Sequence, residues 1–141
     1  MQGIGIHDLT DGGLSFDLRE LLAELGHRGQ NAWWRARTRV WYIAESVVPA
    51  LDTEEPPGNW VRGSDLMNAP GLTQVVDGVI EGVDDATMPQ SEVTPWVVLR
   101  AVDSSWWEVY TDDIDVLAAM RKRFADIRPA RYTSSDPATE Y

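Results

Sequence analysis

Three arginines recur at every second position between two tryptophans in Trp33-Trp34-Arg35-Ala36-Arg37-Thr38-Arg39-Val40-Trp41. On an extended chain successive side chains alternate between faces, so Arg35, Arg37 and Arg39 share one side with Trp33 and Trp41. Guanidinium groups in a row suit carboxylate or phosphate oxygens, and indole faces stack on planar groups or on the cations themselves. The chemistry on offer is capture of a small anionic ligand by Arg35, Arg37, Arg39, Trp33 and Trp41. The simpler reading is a charged, solvent-facing strand balanced by the chain's own acids, with Asp77 and Glu81 as the natural neutralisers. Single-stranded nucleic acid would use the same ingredients. A net charge of −11, from 23 acidic against 12 basic side chains, opposes that partner.

The densest carboxylate group is Asp77, Glu81, Asp84 and Asp85. Oxygen ligands of this kind hold hard cations, but the spacing matches no calcium loop. Asp77 and Glu81 fall on one side of a strand, as a pair for acid–base chemistry would, yet no histidine accompanies them. His7 and His27, the only histidines, lack metal-ligand spacing. Ser64 in Gly63-Ser64-Asp65 reads as a helix N-cap rather than a nucleophile. Gly78 and Gly82 lack the basic residue and following helix of a phosphate loop. No catalytic constellation, metal set or cofactor motif emerges.

What remains is contact. Seven tryptophans exceed what a small core needs, and each buried indole N–H demands an acceptor. Acidic loops at Asp52, Glu54 and Glu55 and at Asp84 and Asp85, joined by Trp33, Trp41 and Trp106, would form a polar rim around aromatic anchors. The expected function is that of a small acidic protein-binding domain, an inhibitor or immunity-type protein acting against a basic partner. Two alternatives use other surfaces: a non-catalytic homodimer pairing its aromatic strand faces, and the anion binder on Arg35, Arg37 and Arg39. Nothing approaches eighteen consecutive apolar residues, so no membrane span is expected. The first residues lack the basic start and apolar stretch of an export signal, and cysteine is absent. A cytoplasmic address follows as the expectation.

These residues need elements to hold them. Trp96–Thr111 reads as a β-hairpin: two arms of β-branched and aromatic residues around Asp103-Ser104-Ser105. A three-residue loop pairs Val102 with Trp106, Ala101 with Trp107, Arg100 with Glu108, Leu99 with Val109 and Val98 with Tyr110. One side is then wholly apolar; the side carrying Arg100 and Glu108 suits a partly wet face. The loop lacks the glycine that a left-handed position favours.

A first helix starts at Asp17, with Glu20 completing a capping box, and buries Leu18, Leu21, Leu22 and Leu25 before Gly26. Ala32–Ile43 alternates as one strand, with Trp34, Ala36, Thr38, Val40 and Tyr42 inward. Residues 49–59 form an acidic proline-marked loop, and Ser64 opens a short helical turn. Thr73–Val83 reads as a strand whose Gly78 and Gly82 leave room for a bulge or for tryptophan rings. A last helix from about Asp113 to Phe124 turns Ile114, Leu117, Met120 and Phe124 inward, and Arg128–Tyr132 suits an edge segment. The expected architecture is α+β: a four-stranded, mostly antiparallel sheet with two helices covering one face, spanning residues 14–132. A loose arm at 1–13 and a disordered tail at 133–141 would flank it.

Overall fold

A computed structural model describes residues 1–10, 13–14, 16–42, 51–69, 75–87 and 94–130. In chain order the strands are β1 (Gln2–Ile6), β2 (Leu9–Thr10), β3 (Gly13–Leu14), β4 (Trp33–Ala36), β5 (Trp41–Tyr42), β6 (Val61–Arg62), β7 (Val75–Val83), β8 (Val97–Val102), β9 (Trp106–Thr111) and β10 (Ile127–Pro129). The helices are α1 (Leu18–Glu24), α2 (Gly26–Asn31), α3 (Gly63–Met67) and α4 (Ile114–Arg123).

The sheet is larger than four strands. Its antiparallel order is β10-β1-β9-β8-β7-β4-β6, a seven-strand path, with β5 added to β7 beside it. Among the described residues the protein is therefore mostly β with four short helices, which corrects the expected four-stranded sheet under two helices. Three local causes account for the difference.

First, the glycine-rich arm is a strand. β1 lies between β9 and β10, with Ile4 opposite Val109 and Ile6 opposite Trp107, so both isoleucines enter the core. Its glycines are bare because rings cross them: a Cβ on Gly3 would stand 2.6 Å from the Tyr110 ring. Second, the strand expected over Ala32–Ile43 breaks after Ala36. The backbone N–H groups of Arg37 and Thr38 both donate to Val79 O, at 2.8 and 3.3 Å. Gly78 is irregular there (φ +143°), and a Cβ on it would lie 2.9 Å from Val40 Cα. The chain resumes pairing only at β5, where Trp41 faces Asp77 in a shifted register. Third, Ile127–Pro129 and Val61–Arg62 close the two ends of the path.

The hairpin of β8 and β9 has the expected register at all five pairs. Asp103 and Ser104 occupy the left-handed region (φ 49° and 58°) without glycine. Their backbone N–H groups are held by Asp77 Oδ1 at 3.1 Å and Val76 O at 2.8 Å, so the start of β7 anchors the turn.

One face of the sheet carries the main core. Trp34, Ala36, Ile80, Leu99, Val109 and Trp107 lie against Leu18, Leu21, Leu22, Leu66, Leu117 and Met120 from the helices. Gly82 lies under the Trp34 ring, where a Cβ would come within 3.1 Å of two ring carbons. Asp17 caps α1, accepting the Glu20 N–H at 3.0 Å, and Asp113 caps α4. Two details differ from expectation. Ile114 is 72% exposed and Val116 turns inward in its place, because the helix begins at Ile114 and the face it turns to the core carries Val116, Leu117 and Met120. Ser64 lies inside α3, whose N-cap position is Arg62. Ile43, Thr73, residues 88–93 and the tail expected at 133–141 lie outside the described residues.

Candidate functional site

The arginine row meets a carboxylate inside the protein. Arg35 and Glu81 are cross-strand partners of β4 and β7, and both are buried on the face of the sheet opposite the helices. Arg35 Nε stands 2.7 Å from Glu81 Oε1, and Arg37 Nε 3.6 Å from Oε2. Glu81 thus takes the neutralising part assigned to it. Arg39 is exposed and lies over the Trp41 ring, 4.7 Å from its centroid. Three further indoles are also covered by the protein's own cations: Arg35 on Trp60 at 4.2 Å, Arg62 on Trp33 at 4.3 Å and Arg28 on Trp96 at 4.0 Å. Arg35, Arg37 and Arg39 therefore do not form one open row.

A second polar network lies on the same face. Arg100 and Glu108 are opposite each other and fully buried, which corrects the partly wet face expected for that side. Glu108 accepts the Tyr110 hydroxyl on Oε1, and the Trp106 indole N–H on Oε2 at 3.0 Å. His7 lies flat on Trp106, with ring centroids 5.1 Å apart and 15° between planes. Hydrogen bonds to the charged form are what let a carboxylate stay in such surroundings. Neither His7 nor Tyr110 carried a sequence signal for this role; alternation alone places Tyr110 beside Glu108, two residues on.

The acidic end of the sheet holds the third arrangement. Arg28, on α2, is clamped between two aspartates over an indole. Its Nε and one terminal nitrogen reach both Asp84 oxygens at 3.2 and 2.8 Å, and the other terminal nitrogen reaches Asp113 Oδ2 at 3.1 Å. The hydrogen bond to Asp84 holds the guanidinium pKa above its ordinary value. Around this clamp opens a depression of about 380 Å³, lined also by Thr94, Pro95, Trp96 and Asp112. Among the described residues the Trp96 indole N–H is buried without an acceptor, and the amino group of Met1 lies 3.2 Å from Asp112. Arg28 and the adjacent Asp112 and Asp113 escape sequence reasoning because they join Asp84 from two other, distant segments.

The expected contact residues fall in three places. Asp84 and Asp85 are exposed where β7 ends, beside Trp33 on β4. Asp52, Glu54 and Glu55 are exposed in the loop whose Gly58 bonds to Ala36 O, at the other end of β4. Three residues of strand separate these ends, roughly 10 Å. Trp41, 52% exposed, pairs near the far end of β7, and half-buried Trp106 follows the hairpin turn. These acids and indoles are thus not gathered into one patch. Among the described residues no group of three or more acids and histidines is arranged to hold a metal ion. No helix among them is long and apolar enough to cross a membrane.

Comparison with protein-family models, curated proteins and solved structures returned no match, so the functional reading rests on geometry and charge.

Proposed function

We propose that the protein acts by contact, as an acidic binding protein that covers a cationic surface of a protein partner in the manner of an inhibitor or immunity-type protein. The observation that supports this reading is the partition of charge. Arg28, Arg35, Arg37, Arg123 and Arg128 are each ion-paired to a carboxylate of the same chain. Asp52, Glu54, Glu55 and Asp85 are exposed, and among the described residues no ion pair reaches them. Five arginines are thus neutralised within the chain while these four carboxylates face solvent, in a chain of net charge −11. A field of one sign steers oppositely charged partners and rejects like-charged ones. The anion-binding alternative loses its principal groups, because Arg35 and Arg37 already face Glu81.

Calorimetric titration with hexa-lysine tests the reading, with hexa-glutamate as the control. Saturable binding of hexa-lysine is expected at low ionic strength, weakening about tenfold or more at high salt, where charges a Debye length apart are screened. Absence of saturable binding at low ionic strength, or equal binding of hexa-glutamate, contradicts it.

A further inference from the structure

We propose that His7 is a proton-operated cover on Trp106: neutral, it lies flat on the indole, and protonated, it leaves that ring and opens the Glu108 network to solvent. The inference is independent of the acidic contact surface, since none of those carboxylates touches His7.

Geometry carries it. His7 directly follows β1, and its backbone N–H donates to Asp126 O at 2.9 Å, so the backbone stays tethered whatever the ring does. The ring reaches back over Gly5, where a Cβ would stand 3.1 Å from His7 Nε2. Gly5 faces Glu108 on β9 and Arg128 on β10, so the imidazole sits above the row that contains the buried carboxylate. Its stacking partner Trp106 is the residue whose N–H holds Glu108. Moving the imidazole therefore uncovers a donor of the network directly.

The charged groups around His7 come from three elements. β10 offers Arg128, and Asp126 stands just before it; β9 offers Glu108; and Asp8 follows in sequence. The carboxylates among them are already engaged. Asp126 accepts two nitrogens of Arg128 at 2.9 and 3.0 Å. Asp8 accepts the backbone N–H groups of Ala125 and Asp126 at 2.9 and 2.6 Å. Glu108 accepts Tyr110 and Trp106. An imidazolium arriving there loses water and meets Arg128; burial first and Arg128 second hold the His7 pKa below 6.5. Asp126 and Glu108 act in the other direction, as does the attraction of an indole face for a cation, and are outweighed. The sign of the linkage follows: with the folded value depressed, the stability that neutral His7 contributes is complete above pH 6.5 and is lost as pH falls through the folded value.

The test is a pH titration of the full chain by NMR, following the His7 ring protons, the cross-peaks between the His7 and Trp106 rings, and exchange of the Trp106 indole N–H with water. Expected are a His7 midpoint below 6.5, cross-peaks lost with the same midpoint, and indole exchange about tenfold faster in acid. In His7→Phe the stack persists across the range and the step in indole exchange is absent. A midpoint at or above the ordinary value, cross-peaks that survive protonation, or an unchanged step in His7→Phe overturns the proposal. If His7→Phe does not fold, the midpoint and cross-peaks of the unaltered chain decide, because both are read on the same ring.

Discussion

Glu81→Gln lowers the free energy of unfolding by about 3–5 kcal/mol, the range for breaking one side of a buried ion pair. The substitution keeps the shape of the side chain and removes its charge, leaving Arg35, 6% exposed, beside a neutral amide. Arg37, more exposed, recovers water and contributes less to the loss. Arg35→Leu combined with Glu81→Leu costs much less than Glu81→Gln alone, because no buried charge is then left without its opposite. Urea unfolding at unchanged m-value measures both. A loss below about 1 kcal/mol for Glu81→Gln, the size of an exposed pair, would mean that water reaches Glu81 and contradict its burial.

Gly63→Ala is the other large effect. A Cβ at Gly63 would stand 2.0 Å from Gly29 O and 2.9 Å from Gln30 O, both backbone atoms that no rotamer change can move. Gly29 O also accepts the Trp34 indole N–H at 2.9 Å, so the clash falls on the acceptor of the largest fully buried side chain. Separating α3 from α2 strains that bond and displaces Arg28, which α2 carries into the acidic depression. Overpacking of side chains costs about 1–3 kcal/mol, and a backbone collision belongs at or above the top of that range. Gly58→Ala is the control: its new Cβ comes closest to the Thr53 methyl, at 3.3 Å, with Ala36 Cβ at an ordinary 3.8 Å, and less than about 1 kcal/mol is expected. Equal unfolding midpoints for the two variants would contradict the close approach of α3 to α2.

The parts of the fold legible in the sequence are those where one local pattern has one solution. The hairpin register follows because shifting it by a residue sets Arg100 against Val109 and mixes polar with apolar on both faces. Asp17 shows as a cap, and for the last helix the sequence offers Asp112 or Asp113, of which Asp113 bonds the N–H groups that the helix leaves open. Glycine is where reading by composition fails. In β1 it suggests a loose arm, whereas Gly3 and Gly5 are bare so that Tyr110 and His7 can lie over them. Gly78 and Gly82 were legible, since a strand with two glycines on one face needs rings or a bulge to fill it, and both occur. Alternation over Ala32–Ile43 is satisfied equally by one strand or by two, and only the bonds from Arg37 and Thr38 to Val79 decide.

The candidate site was less legible, for an electrostatic reason. Arginine and glutamate on a strand read as solvated, yet Arg35, Glu81, Arg100 and Glu108 are all buried because opposite charges meet across strands and aromatic donors complete the shell. The acidic depression combines α2, the end of β7, the start of β8 and the entry to α4, whose proximity no local pattern encodes.

Residue-resolved NMR mapping of hexa-lysine on the ¹⁵N-labelled protein tests most directly whether the outward acids are the contact surface. Saturable shifts centred on residues 52–55 and 84–85, removed by salt and by neutralising Asp52, Glu54, Glu55 and Asp85 together, are the predicted result. Shifts spread evenly over the surface, or persisting unchanged in the neutralised variant, would contradict it.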